Sequence, residues 1–276
     1  MKKPLQAGLI VEGNSTNSTL LRLPNIAEDL GPIKSRGLRV ARRLSNLLKA
    51  GYPVANYKGL QGAQLILVRV PDSVVPRIVD ELCQSDLVFR NLSFVLCESW
   101  LPVGVLEPLR ARGASVATLL NLPNSGRKWF VVEGQLTAVR QMRRFIELHD
   151  ARALELRPGT KPLYFAAVLI ATTVPIPLFL AAQKALRRSG VSGNHLRTVL
   201  NELAQSMFKG FSKGARGSWG GPLTECSDAT AETHFEALRH NDPQLADLVK
   251  EELARARRLM SNQNAGRGDF FREASG

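Results

Sequence analysis

The chain has 276 residues, 44% hydrophobic and 22% charged, enough to bury a sizeable core and to divide into two domains. Its three cysteines, Cys83, Cys97 and Cys226, are odd in number and lack paired metal spacing, which argues against a disulfide framework and for thiols in a reducing compartment. The formal charge of +13 raises nucleic acid as a partner, but the arginines are scattered over several helices and no aromatic-interleaved basic strand accompanies them, so the charge reads as solvated helix faces plus an anionic small ligand.

The first element is the stretch AGLIVEGNSTNSTLL: an apolar run from Ala7 to Val11, a glycine, a cluster of Asn, Ser and Thr, and a return to helical spacing. This is the outline of a strand, a phosphate-cradling turn and a helix. Set against G-x-G-x-x-G, Gly13 holds the middle place, where the backbone approaches a pyrophosphate, while Val11 and Thr16 stand where the first and third glycines would be. Asn14, Ser15 and Thr16 follow with groups that can donate to a phosphate at a helix N-terminus. The competing reading is a plain helix cap on a fold without a ligand.

Further strands are expected at 32–35, 64–70, 93–98, 115–120, 129–133 and 152–156. Between them, 37–49 carries Val40, Leu44, Leu47 and Leu48 as an apolar stripe with Arg39, Arg42 and Arg43 outside it, and 136–148 repeats the pattern with Val139, Met142 and Ile146. Leu65 to Val68 is a continuous apolar run, as in a strand buried on both faces. The alternation predicts an α/β fold with a Rossmann-like, doubly wound, mostly parallel sheet.

Ligands of such a sheet lie beyond the carboxyl ends of its strands. That rule selects Ser35 and Arg36, then Pro71 and Asp72, then Ser99 beside Glu98 and Trp100, and finally Asn121. The second strand ends in Lys34-Ser35-Arg36, with Arg39 one turn into the next helix and no acid nearby, so a dinucleotide bound here is expected to be NADP(H) rather than NAD(H). Helix capping alone also explains Asp72.

The pattern changes at Arg157-Pro158-Gly159, beyond which helices are expected at about 161–188, 194–209, 229–240 and 243–261. The expected domains are therefore 1–158, a dinucleotide-binding domain, and 159–262, an all-helical substrate and dimerisation domain, with 263–276 as a disordered tail. In the Gly-rich loop KGARGSWGGP, Trp219 is placed to fold over a substrate or to anchor the loop. The uncharged stretch from Leu163 to Ala182 has membrane-span length, but Thr172, Thr173, Pro175 and Pro177 interrupt it, and it reads as a central helix covered on all sides by others rather than as a membrane span. No basic-apolar-small leader precedes the first strand, so a cytoplasmic location is expected. His149, His195, His234 and His240 form no pair at metal spacing.

The segments LILVRVPDSVVPRIVDEL, FVLCESWLPVGVLEPLRARGASV, FVVEG and LYFAAVLIATT resemble an uncharacterised family of Rossmann-like oxidoreductases with a 2520-type C-terminal domain of unknown function. That helical half is similar to those of 6-phosphogluconate dehydrogenase, pyrroline-carboxylate reductase and ketopantoate reductase relatives. The resemblance implies a 6-phosphogluconate-dehydrogenase-like architecture, an NADP-type cofactor in the first domain and a homodimer formed through the long helix. The chain departs from the family pattern by showing Leu120-Asn121 for His-Pro, and Tyr164-Phe165-Ala166-Ala167 followed by Thr172-Thr173 for Tyr-His-Ala-Ala followed by Ser-Asn.

Hydride transfer to a carbonyl or imine needs a proton donor, and Lys161, Tyr164 and Thr172 are the set that remains. On a helix, 161 and 172 share nearly one face, with 164 adjacent, and a lysine within reach would lower the tyrosine pKa and position a substrate carboxylate. The expected function is an NADP(H)-dependent oxidoreductase acting on a small carboxylate-bearing carbonyl or imine. The alternative is an inactive Rossmann-like protein that binds a nucleotide, metabolite or protein partner.

Overall fold

The computed structural model describes residues 6–13, 18–122, 129–212 and 226–265. Asn14, Ser15 and Thr16, the Trp219 loop and the tail from 266 onward lie outside the described residues. Two compact units are present, Met1–Leu169 and Ile170–Gly276.

The strands of the first unit are β1 (Ala7–Val11), β2 (Leu30–Ser35), β3 (Tyr52–Pro53), β4 (Leu65–Arg69), β5 (Ser93–Cys97), β6 (Ser115–Asn121), β7 (Trp129–Gly134) and β8 (Arg152–Glu155). They form one sheet in the order β3-β2-β1-β4-β5-β6-β7-β8. Every neighbouring pair is parallel except β6 and β7. The chain winds outward from β1 to β3 and then crosses back to β4, so the direction of winding reverses between β1 and β4. That reversal is the switch point at which a doubly wound sheet opens a crevice. The expected Rossmann-like, parallel-dominated sheet is present.

The helices among the described residues are α1 (Ile26–Asp29), α2 (Leu38–Leu48), α3 (Val75–Cys83), α4 (Glu107–Ala111), α5 (Leu136–Leu148), α6 (Lys161–Thr172), α7 (Pro175–Arg188), α8 (Gly193–Ser212), α9 (Asp228–Asn241) and α10 (Pro243–Ala265). Alternate residues of the central strands feed two cores. Leu9, Val11, Leu67 and Val95 pack with Ala41 and Leu44 of α2 and Met142, Phe145 and Ile146 of α5. Ile10, Ile66, Val68 and Phe94 pack on the other face with Ile78, Val79 and Leu82 of α3 and Leu109 of α4. Burial on both faces is why these strands read as unbroken apolar runs.

Four details differ from the sequence reading. The helix expected after the first loop is reduced to a 3-10 turn, Leu20–Arg22, and the single turn of α1. Pro24 has no N–H for a helix and Asn25 adopts a left-handed backbone at φ 57, which together break the run. Val40 and Leu47 of α2 are exposed, and the buried face of α2 is Ala41 and Leu44 instead. β3 escapes periodicity because it is two residues long.

The fourth difference is the long apolar helix. It breaks at Thr173-Val174, with Pro175 opening α7, because proline is tolerated in the first turn of a helix and not inside it. Residues 161–188 are long and apolar enough to cross a membrane by length and composition, and none of the most apolar stretch is buried among the described residues. Leu163, Ile170, Val174, Ile176 and Leu180 stand exposed, so the expected cover on all sides is not seen among the described residues. In the second unit, Asp242 accepts from the Leu245 amide at 3.2 Å and pairs with Lys184 and Arg188, which ties the start of α10 to α7.

Candidate functional site

The carboxyl ends of β1, β2, β4, β5 and β6 converge on one edge of the sheet. At the end of β1, Gly13 has φ +76, and a Cβ placed on it would lie 3.1 Å from the Pro71 ring. Both constraints, a left-handed backbone and a close neighbour, require glycine there. Pro71 opens the 3-10 turn Asp72–Val74, so two of the selected positions meet across the switch point. Glu12 is drawn into an ion pair with Arg77 of α3.

At the end of β2, the buried Ser35 hydroxyl donates to the Val11 carbonyl at 2.7 Å, so it stitches the two strand ends together. Arg36 and Arg39 are exposed and have no acidic partner among the described residues. Lys34 lies over the Tyr57 ring, 5.0 Å from its centroid. Val11, Glu12, Gly13 and Ser35 line a shallow pocket completed by Val40, Arg43, Leu44 and Leu47 of α2.

The end of β5 carries a cluster of polar contacts. Glu98 has a left-handed backbone at φ 55. Its Oε1 accepts from the Thr19 amide at 2.6 Å and the Leu20 amide at 3.1 Å, and its Oε2 accepts from Arg69 Nε at 2.6 Å. Asn121, at the end of β6, donates from Nδ2 to Thr19 Oγ1 at 3.1 Å.

Lys161 opens α6 and is buried, 3% exposed. Its Nζ donates to the Ser99 carbonyl at 2.8 Å and the Leu101 carbonyl at 2.6 Å. Its amide donates to Oε1 of Glu133, a buried β7 acid whose Oε2 has no partner among the described residues. Burial lowers the Lys161 pKa to about 8, while the charges of Glu133 and Asp72 work in the opposite direction. Ser99 is committed within its own loop, its hydroxyl accepting from the Leu101 amide at 3.1 Å.

Tyr164 stacks on Trp100, centroids 6.2 Å apart and planes inclined by 21°, and Phe165 meets the same indole edge-on. The Tyr164 hydroxyl is buried without a hydrogen-bond partner among the described residues. Burial raises its pKa; the lowering expected from a nearby lysine is absent, because the Lys161 ammonium is turned to the two carbonyls. Thr172 is exposed at the far end of α6, 3.5 Å from Thr173 between hydroxyl oxygens. At 1.5 Å of rise per residue it stands about 16 Å along the helix from Lys161. The structure thus gathers Lys161, Tyr164, Ser99 and Trp100, joins Gly13 to Pro71, and leaves Thr172 apart.

Residues 128–256 match the family described as Domain of unknown function (DUF2520). No curated protein matches this chain. Among solved structures it is similar to protein TM1727 from Thermotoga maritima, at 16% identity over 94% of this chain and 99% of that one, with a TM-score of 0.66. It is also similar to a Streptomyces aurantiacus imine reductase, at 12% identity over 91% of this chain and 93% of that one, with a TM-score of 0.64. A third likeness is to a reductive aminase from Aspergillus terreus in complex with NADPH and ethyl levulinate, at 14% identity over 78% and 77% of the two chains, with a TM-score of 0.57. These likenesses establish the fold, a Rossmann-like sheet followed by a helical C-terminal half.

Sequence reasoning placed Glu98 at a strand end without assigning it a partner, and it overlooked Arg69 and Glu133. An acid inside the apolar run Phe130-Val131-Val132-Glu133 was the available signal for the last of these.

Proposed function

We propose that this chain is an NADP(H)-dependent oxidoreductase that reduces a small carboxylate-bearing carbonyl or imine and works as a homodimer. The observation that carries the reading is the pairing of Gly13 at the switch point with Arg36 and Arg39 at the end of β2. A glycine with positive φ admits close approach of a phosphate, and unpaired guanidinium groups suit the 2′-phosphate that distinguishes NADP from NAD. The likeness to an imine reductase and to a reductive aminase holding NADPH supports the same reading.

The residues fit a dinucleotide at the β1 and β2 ends, where Gly13, Arg36 and Arg39 would hold it. Bound there, it would supply a hydride to the substrate carbon. Tyr164, protonated because burial raises its pKa, would give its proton to the carbonyl oxygen or imine nitrogen. Lys161 acts at one remove, holding the Ser99–Leu101 loop that presents Trp100 to Tyr164. The uncovered apolar side of α6 and α7 is the surface on which a second copy would pack.

Isothermal titration with NADPH and with NADH tests the first step: NADPH is expected to bind more tightly, and no heat from either at millimolar concentration overturns the reading. A second reading, a binding protein without catalysis, is favoured by the Lys161 ammonium being spent on two backbone carbonyls rather than free for a substrate. NADPH consumption with any member of a keto-acid and imine panel excludes it.

A further inference from the structure

Glu98 places a carboxylate beside the β1 end, where Gly13 would admit the phosphates of a dinucleotide. Its side chain is only 9% exposed and carries three charge-assisted hydrogen bonds. Two of its donors, the Thr19 and Leu20 amides, open the first helical turn after β1, and the third, Arg69, ends β4 directly across from Val11 of β1. The carboxylate therefore reaches from the end of β5 over β4 to the segment that follows β1, across the switch point where dinucleotide phosphates are held in sheets of this kind. Its backbone is left-handed at φ 55, a conformation uncommon for residues other than glycine.

We propose that Glu98 is a resident anion opposing the phosphates of a dinucleotide at this edge, so that removing its charge tightens NADPH binding. The charge count supports this. Arg69 is spent on this carboxylate, and the Thr19 and Leu20 amides with it, so a pyrophosphate arriving beside the pair meets the Glu98 charge with these donors already engaged; removing that charge frees Arg69 as a cation. Arg36 and Arg39 lie two strands away, at the end of β2, and serve the 2′-phosphate instead. Affinity is thereby weighted toward the adenosine end and held down at the pyrophosphate. A unit charge facing phosphates at a few ångströms in a partly buried site is expected to change affinity by at least tenfold.

This inference rests on the NADP(H) reading, and the experiment separates the two. The full chain and its Glu98→Gln and Glu98→Ala variants are titrated with NADPH and with adenosine 2′-monophosphate, which has no pyrophosphate. Thermal melts establish that each variant is folded; Glu98→Gln keeps an oxygen acceptor for the Thr19 and Leu20 amides and is the safer of the two. The expected result is an NADPH Kd lowered at least tenfold in both variants and an unchanged Kd for the monophosphate. Equal or weaker NADPH binding in the folded variants, with the monophosphate still bound, overturns the role of Glu98 and leaves the NADP(H) reading standing. Absence of binding by both probes to all three proteins overturns both.

Discussion

The Lys161 ammonium donates to the Ser99 carbonyl at 2.8 Å, so the first residue of α6 holds the end of β5, 62 positions earlier. A second bond to the Leu101 carbonyl fixes the other end of the same short loop. Replacement of Lys161 by Met removes both donors and leaves the oxygens without a partner, which is expected to cost about 2–3 kcal/mol, read as a lower Tm.

The same pair of proteins gives a pH signature. In the folded chain Lys161 loses its proton near pH 8, whereas in the unfolded chain it does so near pH 10.4. Between those values the unfolded state binds the extra proton, so stability rises with pH there. The stability of the wild type relative to Lys161→Met is expected to be flat below pH 8 and to climb from pH 8 to 10. Denaturant titrations across that range check it, and a flat difference throughout refutes it.

Gly13→Ala forces a β-carbon into φ +76 against the Pro71 ring. The expected loss is about 1–2 kcal/mol of stability, visible by circular dichroism melting, together with weakened NADPH binding.

Arg36→Ala combined with Arg39→Ala removes the two exposed guanidinium groups at the end of β2. NADPH affinity is expected to fall about tenfold or more while NADH affinity stays the same, because only NADPH carries the 2′-phosphate. Equal losses for both nucleotides would show that these arginines do not read that group.

Tyr164→Phe separates stability from chemistry. Its hydroxyl is buried without a partner among the described residues, so removing it is expected to leave the Tm unchanged or to raise it slightly. Turnover, where a substrate is found, is expected to fall by about a hundredfold, the usual worth of a positioned proton donor.

Much of the sheet was legible because its strands are unbroken apolar runs: Leu65 to Val68 is buried on both sides and reads as such, and Phe94 to Cys97, equally buried, lies in the strand expected at 93–98. The strand ends followed from that, and with them Gly13, Pro71, Ser99 and Asn121. What stayed hidden was set at a distance. Glu98 takes its role from an amide 79 positions away, and no local pattern announces such a contact. The first crossover failed in the reading because Leu20, Leu21 and Leu23 imitate a helical stripe, whereas Pro24 and the left-handed Asn25 end it at once. Thr172 was grouped with Lys161 by helical phase alone, which aligns residues along a face but does not shorten the distance between them.

The reversal between β6 and β7 also bears on how this protein could be divided. The DUF2520 match begins at residue 128, one position before β7, yet β7 is hydrogen-bonded to β6 from Ala117 to Asn121 and carries β8 on its other side. A fragment started at that boundary would present the bare edge of β7, with Phe130 and Val132 stripped of their neighbours, and is expected to aggregate. The matched segment therefore opens with two strands that fold as part of the sheet that precedes it.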